Sequence, residues 1–183
     1  MIPLPIRIVL PAVLGLPAAL AAQAPTPASV RDALLTDWQR DRANVLAVVD
    51  AMPESRLGFR PTPGVRTFAE QVHHVVAEDV TAVQQVLPGA PTAAPADGDT
   101  AVLFHQKAAL RAWAAGSFDW AIGRIRDAQD AQLARTLSLY RYPAAPTWRW
   151  LTLAREHGVW TLGQTVPYLR LAGARPGAYQ IPF

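Results

Sequence analysis

With no cysteine in the chain, its four histidines are the residues best able to do chemistry. The missing thiols exclude a disulfide framework, a thiolate metal site and a cysteine nucleophile. His73 and His74 are adjacent, His105 stands apart and His157 lies near the end. On a helix, His157 and Thr161 are one turn apart and share a face, as do His74 and Glu78. Imidazoles ligate divalent ions, and a nearby carboxylate can complete a set that leaves open positions for water. Each candidate also has a plainer reading. Glu78 reads equally as a solvated helix charge, and a core histidine satisfied by a carbonyl looks the same in sequence as a ligand. His105 reads as structural or exposed. By helical angle His73 borders the apolar face of its helix more closely than His74, so periodicity by itself singles out His73.

Four helical segments must position these groups. The first runs from about Ser29 to Met52, with Ser29 and Asp32 as its expected capping box. Leu34, Trp38, Val45, Val49 and Met52 repeat along one face, and Pro53 ends the helix. A loop from Glu54 to Arg66 holds Pro61, Pro63 and Gly64. The second helix opens at Thr67, with Glu70 three residues on, and carries Phe68, Val72, Val75, Val76 and Val83 toward Leu87. Pro88 to Thr100 is long for a link between antiparallel neighbours. It fits a crossover that lets the second and third helices run parallel. The third helix is expected over Ala101 to Arg126, with Leu103, Leu110, Trp113 and Ile125 on its apolar face. An irregular stretch from Asp127 to Pro146 alternates briefly at Thr136 to Tyr140. The fourth helix runs from about Thr147 to Ala172, ends at Gly173, and is kinked near Gly163 by Pro167. The six tryptophans, at 38, 113, 120, 148, 150 and 160, read as packing residues.

Residues 1–24 read as an address. Arg7 precedes an apolar run from Ile8 to Leu20, which Pro11 and Pro17 interrupt, and Ala21-Ala22-Gln23-Ala24 offers small residues at a cleavage spacing. The run is shorter than the roughly 20 residues of a spanning helix, so a signal peptide is expected rather than a membrane anchor. Without cysteine the exported form carries no lipid anchor. Residues 25–28 form a short tether, and one domain occupies residues 29–183. The remaining composition is globular: 183 residues, 51% apolar and 17% charged. Seventeen Lys and Arg stand against 14 Asp and Glu, a net charge of +3 with no run of basic residues interleaved with aromatics. No nucleic-acid partner is expected, and no membrane contact in the mature form.

Arg66-Thr67-Phe68-Ala69-Glu70-Gln71-Val72-His73-His74 resembles the second helix of the DinB/YfiT-like family. There a Ser/Thr cap leads to a metal-binding histidine seven residues on, which falls here at His74. His157 through Gln164, with Tyr168-Leu169-Arg170 and Gly173 beyond, is similar to that family's last helix, and Pro61-x-Pro63-Gly64 also fits. The resemblance covers the whole mature chain. It implies an all-α, four-helix bundle of up-down-down-up topology, often a homodimer, binding one divalent metal such as zinc or nickel through three histidines. His74 and His157 match two of those ligands, and the third position is Thr161. A neutral hydroxyl is a poor ligand for a divalent transition metal, and Glu78 is the nearest carboxylate that could stand in. Arg170, also in the family pattern, reads as a structural arginine favouring its helix terminus.

Two functions follow. One is an exported, metal-dependent hydrolase or transferase with a degenerate site, acting on a small molecule the sequence does not name. The other is a non-catalytic exported binding or structural bundle that has lost its metal. Thr161 favours the second, and the two retained histidines favour the first. Thiol-dependent transfer, known in the family, fits poorly with export, because small-thiol cosubstrates are cytoplasmic.

Overall fold

The structure is a computed structural model that describes residues 26–89, 92–139 and 141–180. The expected signal peptide lies outside the described residues. Helix α1 (Pro27–Ala51) starts one turn earlier than a Ser29 cap would set it. Thr26 is the cap and its hydroxyl accepts from the Ser29 amide, while Ser29 donates its own hydroxyl to the Thr26 carbonyl. Pro27 suits the first turn because it brings no amide needing a partner. The seam of α1 (Leu34, Trp38, Val45, Val49 and Met52) is buried as its spacing requires.

Pro53 opens a 3-10 turn at Glu54–Arg56, and α2 (Phe68–Val86) follows with the expected capping box. Thr67 accepts from the Glu70 amide at 3.2 Å, and Glu70 accepts from the Thr67 amide at 2.7 Å. The long connection is strapped to the bundle by side chains that donate to its carbonyls. Trp113 Nε1 reaches Ala96, Trp120 Nε1 reaches Thr92, and Arg124 reaches Leu87 and Pro88.

The third expected helix divides in two, α3 (Thr100–Leu103) and α4 (Lys107–Asp127). Asp99 caps the first piece. The second restarts at Lys107 because Glu54, from the distant 3-10 turn, accepts its amide at 3.1 Å, while Lys107 Nζ binds the Asp50 and Met52 carbonyls. A short helix α5 (Asp130–Ala134) and a minimal hairpin follow. In the hairpin β1 (Thr136–Leu137) pairs antiparallel with β2 (Ala145–Pro146), so the brief alternation yields only this clasp. The last expected helix breaks at Gln164 into α6 (Thr147–Gly163) and α7 (Thr165–Leu171). Pro167 cannot donate to the preceding turn. Gly173, at φ +79°, closes the end.

Helix α1 packs on α4 and α6, and α2 packs on the same two, so the four long helices enclose one core. Their contacts are ordered. Along α1 and α4, Arg42 meets Asp119 and Asp50 meets Arg111. Along α2 and α4, His73 meets Trp113 and Leu87 meets Arg124. Along α2 and α6, Gln71 meets Thr161 and His74 meets His157.

Candidate functional site: a histidine pair beside a cleft

Helices α2 and α6 bring His74 and His157 together. Their rings lie 5.6 Å apart, edge to face at 86°. His74 is half-buried and His157 exposed. Burial, with the nearby Arg66 charge, lowers the His74 pKa from its ordinary value, against the pull of Glu78. That shift favours the neutral imidazole over the charged one. Glu78 lies on the same face but at arm's length, its Oε1 3.9 Å from His74 Nδ1. Thr161 is buried, and its Oγ1 stands 3.4 Å from His157 Nε2. Gln71 fixes this end of α6, donating from Nε2 to the Thr161 carbonyl and to Gln164 Oε1, both at 3.2 Å.

As a donor set these residues do not fit a divalent transition metal. They supply two imidazoles and a neutral hydroxyl, and that hydroxyl faces an imidazole nitrogen a metal would need. Glu78 does not complete the set. Among the described residues no three His, Cys, Asp or Glu side chains converge on one point.

His73, the residue that periodicity favours, serves the strap instead. Its ring stacks on Trp113 at 4.6 Å and 10°, and its Nε2 lies 2.8 Å from the Asp97 carbonyl. His105 and Arg170 are exposed. The tryptophans divide between packing and surface: Trp38 and Trp150 are buried, whereas Trp148 and Trp160 are exposed.

Beside the pair, a cleft of about 950 Å³ opens between α2, α6 and the hairpin. Ala82, Val86, Leu139, Trp150 and Leu153 form apolar walls. The Trp150 indole is held by bonds from Nε1 to the Leu137 and Ala145 carbonyls, at 3.0 and 3.1 Å. Glu78, Asp79 and His157 stand at one end, and Arg141 and Arg149 also line the cleft. Arg149 is paired with Glu156 at 3.2 Å.

Behind the acidic end lies a buried polar layer that sequence reasoning missed. Asp41 on α1 binds Arg155 on α6 at 2.7 Å and Arg40 at 3.5 Å. Burial nevertheless pushes the Asp41 carboxyl up to about 7, against the pull of Arg40, with the Asp37 charge adding to the rise. Asp79 on α2 is 4% exposed, and its Oδ1 has no hydrogen-bond partner. Burial pushes its carboxyl well above the ordinary range, and the Asp41 and Glu78 charges add to the rise. Gly158 makes the room, since a Cβ there would lie 3.0 Å from Asp79 Oδ2. A signal did exist. Asp41 falls between Trp38 and Val45, and Asp79 between Val76 and Val83, at core positions of their helices.

Ordered helix contacts, a capped α2 and a histidine pair shared by α2 and α6 define a DinB-type helical bundle. The DinB superfamily profile matches residues 37–159, and the chain belongs to that superfamily. The match stops short of Thr161 and α7. Among solved structures, the chain is similar to a DinB-like protein, YjoA, from Bacillus subtilis. The two are 14% identical with a TM-score of 0.57, over 82% of this chain and 96% of that one. At that identity the likeness concerns the fold. No curated protein matches the sequence.

Proposed function

We propose that this protein is an exported, non-catalytic DinB-superfamily bundle that binds a small organic molecule in the cleft between α2 and α6. The observation that carries this reading is the buried Thr161 hydroxyl 3.4 Å from His157 Nε2, where a third imidazole would be needed. The cleft beside it is apolar-walled and held open by a fixed Trp150. Concave, mostly apolar sites with a few polar groups are the usual form of small-molecule sites. Export rests on the leader-like residues 1–24, and among the described residues no helix is long and apolar enough to cross a membrane. The up-down-down-up order is part of the proposal, supported by the sequence in which residues meet along each helix pair. So is a homodimer, supported by Trp160 and Leu171, which are 77% and 62% exposed.

A second reading, a metal-dependent hydrolase or transferase, is favoured by the neutral His74 set beside His157. Titration calorimetry with zinc and with nickel separates the two. The wild type is expected to bind either ion weakly. Thr161→His, which adds an imidazole one turn after His157, is expected to tighten binding at least tenfold, about 1.4 kcal/mol. Changing His74 to Ala as well is expected to abolish the gain. Tight zinc or nickel binding by the wild type, lost with His74→Ala, would replace the non-catalytic reading with the enzymatic one.

A further inference from the structure

We infer that the cleft selects an organic cation, an amine on an apolar body, whose ammonium group sits against Asp79 and Glu78; this rests on the small-molecule reading above. The acidic end of the cleft lacks a positive partner. Asp41 has Arg155 and Arg40, whereas among the described residues no Lys, Arg or His pairs with Asp79. Its charged neighbours are the carboxyls of Asp41 and Glu78. A carboxyl 4% exposed with an unpartnered Oδ1 is costly to hold, and the cost falls when a donor arrives. Asp79 stands where a donor can reach it, on the wall shared by the cleft and a small cavity behind it. Gly158, by lacking a side chain, leaves the carboxylate its position against α6.

The rest of the cleft decides which cation. A bare metal ion is disfavoured because the carboxyls and imidazoles do not converge, whereas an ammonium offers three donors and tolerates loose geometry. From Glu78 to Val86 the α2 wall runs roughly 12 Å at 1.5 Å per residue. Beyond the polar end it is lined by Ala82, Leu153 and Trp150, so a body of about that length is buried among carbon.

The test uses three probes of one shape, octylamine, octanol and octanoate, titrated calorimetrically into the full mature chain at neutral pH. Octylamine is expected to bind at least tenfold more tightly than octanol. Asp79→Asn, which keeps the shape and removes the carboxyl that must give up its proton to pair with an ammonium, is expected to bring octylamine to the level of octanol and leave octanol unchanged. Glu78→Gln, on the exposed rim, is expected to cost part of the same preference and guards against a folding defect in the buried variant. If octanol and octylamine bind alike, or octanoate binds tightest, the cation inference is overturned and the small-molecule reading survives. If none of the three binds, both fail.

Discussion

The two buried carboxyls give individual residues a measurable signature. A carboxyl whose folded pKa is raised keeps its proton in the native state after the unfolded chain has lost it. Stability is then full below the unfolded value, near 3.8 for Asp79, and declines as pH rises toward the folded value. Each pH unit in that window is worth about 1.4 kcal/mol. Asp79→Asn removes the decline. Urea unfolding from pH 4 to 8 is therefore expected to show the variant gaining on the wild type as pH rises. Asp41 declines in the same sense up to about 7, and His74, with its lowered pKa, loses stability as pH falls through about 6.5. The His74 contribution is common to the two proteins, whereas that of Asp41 changes with the substitution, because its charge bears on Asp79. A flat difference would show that Asp79 is ionised in the native state. At this scale the pairing of His74 with His157 was reached through the family resemblance, whose register counts seven residues from the Thr67 cap, whereas periodicity alone singled out His73. The acids were not singled out, although their register placed them among Trp38, Val45, Val76 and Val83. Pairing Asp41 with Arg155 joins α1 to α6, far apart in the chain, which no local pattern records.

Elements were read best where their punctuation is local. The Thr67–Glu70 box, Pro53, Pro167 and Gly173 each act within a turn of where they stand, and α2, α6 and α7 begin or end there. The division of α3 from α4 was not legible, because the carboxylate that restarts α4 comes from Glu54, across the bundle. The Thr26 cap was missed for a smaller reason: Pro27, read as tether, is the first residue of the helix. The strap between α2 and α3 was expected from its length, but its fastening was not, since His73 reads equally as a core residue. His73→Ala removes the stack on Trp113 and the contact with Asp97. Amide hydrogen exchange over residues 92–99 is expected to quicken at least tenfold in that variant, with α2 and α6 unchanged. Unchanged exchange in the strap would show that the indole and Arg124 bonds suffice.

At the scale of the whole molecule, the export proposal joins an expected address, residues 1–24, to the bundle. Intact mass and light scattering on the protein recovered from its host are expected to show an N-terminus between Ala22 and Pro25 and a particle of two chains. An intact Met1 in the cytoplasm would remove the export proposal, and a monomer with Trp160 still free would remove the dimer. The strap that closes one side of this bundle has a consequence for how the chain can change over time. Its fastenings end on the main-chain oxygens of Leu87, Pro88, Thr92, Ala96 and Asp97. A carbonyl is an acceptor that every amino acid carries, so mutation cannot delete it. The identities along residues 92–97 are thereby decoupled from the path they follow. A lineage can rewrite those letters freely while Trp113, Trp120, Arg124 and His73 hold the trace. An engineered epitope written into them would inherit its shape from α2 and α4.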